Sequence, residues 1–186
     1  MRIDKLKPQI AGSLLMIAVM ASYVLALPAI ATWLPDSNKL EGGQRFTFAD
    51  GASIVPADGW SLDLDSSTGY FTVLVKAGLR LTLTQPYSSG FTLGGRIQMV
   101  VDQLKNDTKT DWLIDEPRYF ETDDGVPIGE VTGHSAQSVQ SSWFISDGNL
   151  TLAILCEASS TSWQLLSDEL DEMIRTVIMG TGAGGA

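Results

Sequence analysis

Between Lys7 and Asp36 the chain carries no charged residue. Within that interval Ile10–Leu34 reads IAGSLLMIAVMASYVLALPAIATWL. A bilayer core about 30 Å thick takes roughly 20 apolar residues in a helix rising 1.5 Å each. The run is long enough to span one with some tilt. Trp33 stands at its outer end, where an interfacial ring anchors a span, and Tyr23 is a second aromatic. Pro28 is expected to loosen the last turns. Gly12, Ser13, Ala18, Ala21, Ser22 and Ala26 are small among larger neighbours. Small side chains let helices approach closely in lipid, so these six are the candidate packing residues against an integral membrane partner.

Flanking charge sets the expected orientation. Arg2, Lys5 and Lys7 face Asp4 in the leader, whereas the far side opens with Asp36 and has Lys39 as its nearby base. Positive charge stays inside, so the N-terminus is expected in the cytoplasm and the rest outside, at a cell membrane. The competing reading is a cleaved signal peptide with Ala29-Ile30-Ala31 as the cleavage site. The apolar run before that site is longer than the usual signal core of about 7–15 residues. A lipoprotein anchor is excluded, because lipid attachment needs a cysteine at the signal's end and the only cysteine is Cys156.

The expected organisation is a leader over 1–9, a transmembrane helix over 10–34, a tether over 35–43, a folded domain over 44–180 and a flexible tail over 181–186. Removing Met1–Pro35 from 186 residues leaves one domain with a sizeable core. The whole chain is at −10. Its leader holds three bases against one acid, so the remainder stands at −12. That balance argues against nucleic acid as a partner, whose binding is driven by basic surface. It favours a partner with basic patches. One cysteine cannot form an internal disulfide, so the core alone must hold the domain.

Ser37–Gln44 is polar with a glycine pair and reads as the tether. Arg45–Phe48 and Ala52–Val55 read as strands around Asp50-Gly51. Pro56-Ala57-Asp58-Gly59 is a turn. Trp60, Leu62 and Leu64 alternate with Ser61, Asp63 and Asp65 as a half-buried strand would. Tyr70–Ala77 and Leu79–Gln85 read as a hairpin around Gly78. Thr92 is the expected cap of a helix carrying Ile97, Val100, Val101 and Leu104 and ending near Asn106-Asp107. Trp112–Ile114 is a short apolar stretch. Arg118–Glu121 and Val126–Thr132 form a hairpin across Asp123-Asp124-Gly125. Val139–Ser146 and Asn149–Glu157 form the clearest one, across Asp147-Gly148. The last helix is expected to start at a Thr161 cap, with Gln164 completing a capping box, and to stop at Gly180. Its expected buried face holds Leu166, Leu170, Met173, Ile174, Val177 and Ile178; Asp168, Glu169, Asp171 and Glu172 form the wet one. The order of strands, helix, strands, helix predicts an α+β class, an antiparallel sheet flanked by helices.

This arrangement resembles the PsbP-type fold. The matching pieces are the VPADGW segment Val55–Trp60, the strand pair Tyr70–Gln85 and the helix through Leu93–Asn106. The hairpin across Asp147-Gly148 and the closing amphipathic helix also match, so the resemblance covers most of Gln44–Met179. It implies a mostly non-enzymatic role as an extrinsic or accessory subunit of a larger complex. Some members in mycolate-bearing actinobacteria are membrane-anchored helpers of envelope-lipid export, and this chain resembles such an envelope protein.

Among candidate sites, His134 beside Ser135 has the residue types of a general base and a nucleophile. No nucleophile-elbow sequence accompanies it, and it is read as a surface loop histidine. Cys156 falls on the face of Leu150, Leu152 and Ile154 and reads as a buried small hydrophobe. One histidine and one cysteine give no zinc-type cluster. Asp123-Asp124 and the acidic run Asp168–Glu172 read as a solvated turn and a solvated helix face. Gly94-Gly95 opens a helix and offers donors, a weak anion signal. The sequence therefore predicts no catalytic residue, metal or cofactor. It predicts a non-enzymatic, single-pass accessory subunit of an envelope-lipid transporter of the RND type or of a respiratory assembly. The alternative is an extracytoplasmic lipid or small-molecule binding module, with an apolar pocket between sheet and helix.

Overall fold

A computed structural model describes residues 38–180. The expected anchor with its packing residues Gly12, Ser13, Ala18, Ala21, Ser22 and Ala26 lies outside the described residues, as does the tail 181–186. Among the described residues no helix is long and apolar enough to cross a membrane.

The first ribbon pairs β1 (Phe46–Ala49) with β2 (Ala52–Ile54). Asp50 and Gly51 between them both have positive φ, 39° and 82°. Two such residues give the turn whose twist suits a hairpin, and Asp and Gly tolerate it best. The larger sheet is antiparallel throughout. It runs β3 (Ser61–Leu62), β4 (Phe71–Lys76), β5 (Leu79–Thr84), β11 (Leu150–Ser159), β10 (Ser138–Ser146), β9 (Pro127–His134) and β7 (Leu113–Ile114). Beside β7, β8 (Arg118–Glu121) pairs with the first half of β9, and β6 (Tyr87–Ser88) pairs with the start of β11. Helix α1 (Leu93–Lys105) lies on one face and helix α2 (Ser160–Arg175) on the other.

Register decides what each helix meets. Ile128, Glu130 and Thr132 of β9 stand opposite Ile145, Trp143 and Ser141 of β10. Those in turn face Leu152, Ile154 and Cys156 of β11, and Leu83 and Leu81 of β5 follow. This face packs under Leu166, Leu170, Met173 and Ile174 of α2, and Ala52, Ile54 and Trp60 close the same core. Burying each such aliphatic side chain contributes roughly 1.5–3 kcal/mol. The opposite face sets Val131, Phe144 and Ala153 against Ile97 and Val101 of α1. Gly129 and Gly133 let α1 sit close: a Cβ there would lie 3.1 Å from Ile97 Cγ1 and 3.0 Å from Leu104 Cδ1.

Several boundaries differ from the sequence reading. The described chain is tied to the domain from Asn38 onward rather than from Gln44. Leu62 N–H donates to Asn38 O (2.7 Å), Leu40 N–H to Trp60 O and Gly43 N–H to Pro56 O (both 2.9 Å). The strand read over Trp60–Asp65 is two residues long, because Asp63 turns the chain: its carboxylate accepts from Ser66 N–H (3.1 Å). Leu64 is left exposed. Helix α2 is capped by Ser159, not Thr161. Strand β11 stays paired through Ser159, whose hydroxyl then accepts from Ser162 N–H (3.1 Å). Ser162 in turn donates to Ala77 O (2.8 Å), pinning the helix start to the β4–β5 turn. The helix also stops early, at a Thr176 C-cap, because Ile178 leaves to exchange backbone bonds with Ser53. Val177 is buried beyond the helix and Ile178 is exposed. Gly180 serves close approach instead: a Cβ there would overlap the Asp50 carbonyl.

Candidate functional site

Helix α2 presents a second, polar stripe next to its apolar one. Trp163, Ser167 and Asp171 are spaced by four residues, so they stack along one side. That side faces the β8–β9 edge across a cleft of about 240 Å³. Asp168 joins from the helix, Asp115 and Glu116 from the segment between β7 and β8, and Arg118, Glu130 and Thr132 from β8 and β9. Five carboxylates against one guanidinium make the cleft acidic.

Glu130 is its base, only 4% exposed. Alternation places it inward on β9, between Ile128 and Thr132. Its Oε2 accepts from Arg118 Nε (2.6 Å) and Nη2 (2.5 Å), and Arg118 Nη2 also donates to Asp171 Oδ2 (2.7 Å). Oε1 accepts at 3.3 Å from the hydroxyls of Thr132 and Ser141. Burial pushes the Glu130 carboxyl above the ordinary glutamate value, and the Arg118 guanidinium pulls it only part of the way back. Hydrogen bonds to Asp171 and then Glu130 hold Arg118 in its charged form. The result is a clasp from sheet to helix with both Glu130 oxygens occupied.

A second clasp leaves α2 two residues before Asp171. Glu169 Oε1 accepts from Trp60 Nε1 (2.7 Å), and Lys76 Nζ lies 2.7 Å from both Glu169 oxygens. The run Asp168–Glu172 is therefore not simply a solvated face: Glu169 and Asp171 point back to the sheet while Asp168 and Glu172 are exposed. Behind the cleft wall Trp163 stacks on Trp143, centroids 6.3 Å apart. The fully buried Trp143 indole N–H has no acceptor among the described residues.

His134 ends β9 rather than lying in a loop, and its Nε2 sits 2.9 Å from Asp115 Oδ2. This supplies an orienting carboxylate. The Ser135 hydroxyl, however, donates to Ser138 O (3.0 Å) and accepts from Ser138 N–H (3.0 Å), turned to its own tight turn. A base with its carboxylate but no bonded hydroxyl lacks the nucleophile of a triad. Cys156 is buried with Leu152 and Ile154, and burial pushes its thiol up to about 12, so the nucleophilic thiolate is suppressed. Among the described residues no three His, Cys, Asp or Glu side chains gather as a metal site. Gly95 N–H is taken by its cap, Thr92 Oγ1 (3.2 Å).

Sequence reasoning missed Glu130, Arg118 and Trp163. The signals present were an acid at an inward position of a strand and the four-residue spacing of Trp163, Ser167 and Asp171.

No protein-family model matches the chain. No curated protein matches it either. Among solved structures 16 chains match. The solution structure of cyanobacterial PsbP (CyanoP) from Synechocystis aligns with a TM-score of 0.52 at 12% identity, over 73% of this chain and 91% of that one. A crystal structure from Bacteroides thetaiotaomicron aligns with a TM-score of 0.41 at 12% identity, over 75% of this chain and 49% of that one, too slight a likeness to carry meaning. The first likeness is one of fold and agrees with the topology above: the described domain has a PsbP-like α+β fold, an antiparallel sheet with two helices.

Proposed function

We propose that this protein is a non-enzymatic accessory subunit of an integral membrane complex, held in the cell membrane by Ile10–Leu34 as a single-pass anchor. Its leader is cytoplasmic and its acidic domain extracytoplasmic. The observation that carries the reading is the state of the acidic cleft beside α2. Its buried acid is engaged on both oxygens, one of them through Arg118 fastening α2 to the sheet, and His134, paired with the cleft's Asp115, has no bonded nucleophile. The chain ahead of the domain adds support, because Asn38, already bonded to the domain, follows the last apolar residue of the run, Leu34, by four positions. The host is an envelope-lipid transporter, the class that the resemblance implies, or a respiratory assembly of an actinobacterial membrane. The alternative, a lipid or small-molecule binding module, needs an apolar pocket between sheet and helix, and the cleft beside α2 is instead lined with carboxylates.

The test is co-purification. The full chain, tagged after Ala186, is extracted in mild detergent and its companions are identified. A second version replaces Ile10–Leu34 with an unrelated apolar helix of equal length. One membrane complex should co-purify with the first and be reduced with the second, as close packing through Gly12, Ser13, Ala18, Ala21, Ser22 and Ala26 requires. Recovery of the native chain alone would sink the subunit reading. Equal recovery with both would reduce the anchor to a tether.

A further inference from the structure

The two edges of the large sheet are finished differently. At the β3 edge the incoming chain continues the ladder: Lys39 bridges Ser61, and Asn38 and Leu40 bond to Leu62 and Trp60. At the other edge β7 and β8 lie end to end along β9, and among the described residues no further strand pairs with either. An open edge presents unpaired N–H and C=O groups as a template for another strand, and proteins usually blunt it with lysine or proline. Here Pro117 separates the two strands and no lysine lies on either. Leu113 is 73% and Tyr119 60% exposed.

Charge selects the occupant. The edge segment 111–124, DWLIDEPRYFETDD, holds Asp111, Asp115, Glu116, Glu121, Asp123 and Asp124, all exposed. Its one base, Arg118, is engaged by Glu130 and Asp171, and at the far end of β8 Arg175 of α2 donates to the Glu121 carbonyl (3.4 Å), leaving the stretch ahead of it open. Pairing with a second copy would set this acidic edge against itself, and like charges across a strand pair are destabilising. A segment with lysine or arginine at alternate positions has the complementary charge.

We propose that the β7–β8 edge receives an extended, lysine- or arginine-bearing segment of the partner protein as an added strand. Backbone bonds along the edge hold the segment, its basic side chains meet the carboxylates, and the exposed Tyr119 ring offers a face to a cation. The proposal rests on the accessory-subunit reading for the partner's existence, but the edge itself is tested without it.

The probe is the capped peptide Lys-Thr-Lys-Val-Lys-Thr-Lys, titrated calorimetrically into the full chain in neutral detergent micelles. We expect saturable one-to-one binding that weakens at least tenfold when the lysines are replaced by glutamates. In an added strand only alternate peptide N–H groups point at the edge. N-methylating one alternate set should therefore weaken binding at least tenfold, and methylating the other set should leave it within twofold. The combined change Glu121→Gln, Asp123→Asn, Asp124→Asn should weaken it several-fold, while Asp58→Asn with Asp65→Asn, flanking β3 at the opposite edge, should not. Equal response to the two methylated sets, equal response to near and distant charge removal, or absence of saturable binding would overturn the proposal. So would self-association through this edge. Peptide binding without any co-purifying complex would instead count against the subunit reading alone.

Discussion

The two faces of the large sheet hold their helices by different physics. Helix α1 is held by shape: Gly129 and Gly133 leave the room that Ile97 and Leu104 fill, over a small apolar patch. Helix α2 is held by bulk apolar burial plus two charged clasps, Glu130–Arg118–Asp171 and Lys76–Glu169–Trp60. The shape-fitted face has little chemistry to offer. The clasped face carries the cleft of five carboxylates, because polar groups that tie a helix down line the gap between helix and sheet. A cleft beside a helix is therefore weak grounds for catalysis when its ionisable groups already engage each other.

Substitutions separate the two modes. Leu170→Ala, at a fully buried α2 position, should cost about 3–4 kcal/mol by chemical denaturation. Ile97→Ala on the other face should cost less, about 2 kcal/mol, because that cluster is smaller. Equal losses would erase the distinction in burial.

Gly129→Val should cost about 2 kcal/mol, since a Cβ alone already meets Ile97 and Leu93 within 3.3 Å. Combining it with Ile97→Ala should recover much of the loss if shape is the issue. Additive losses would show that α1 is held some other way.

Smaller again is the start of α2. Ser159→Ala should destabilise by about 1 kcal/mol, and Thr161→Ala should stay within about 0.5 kcal/mol. The reverse order would restore Thr161 as the cap.

The subtlest effect is on pH dependence. Burial raises the folded pKa of Glu130 above that of the unfolded chain. The folded state then keeps a proton that the unfolded state has already lost. This group's contribution is most favourable below the ordinary glutamate value and declines as pH rises through the raised one. Glu130→Gln should remove that decline, so its stability relative to wild type should improve from pH 4 to pH 7. A constant difference across that range would mean that Arg118 cancels the burial.

The elements legible in the sequence were those set by neighbours along the chain. Thr92 was recognisable as the α1 cap, and Asp-Gly pairs and Gly78 marked the hairpins, because these depend on backbone conformations local to a few residues. Leu79, Leu81 and Leu83 alternate as read, all buried. The candidate site was barely legible. Asp168–Glu172 looks uniformly solvated until Lys76 and Arg118, from distant strands, arrive beside Glu169 and Asp171. His134 and Asp115 are 19 positions apart, and only the pairing of β7 with β9 sets them side by side.

The sequence alone determined the α+β class, the turn positions, the acidic balance and the uncharged run ahead of the domain. All of these are properties of composition and short-range periodicity. Tertiary structure decided which acids are buried, which sheet edge stays open and where the last helix begins and ends. Those depend on register, and register brings together residues whose separation along the chain says nothing of their distance in space.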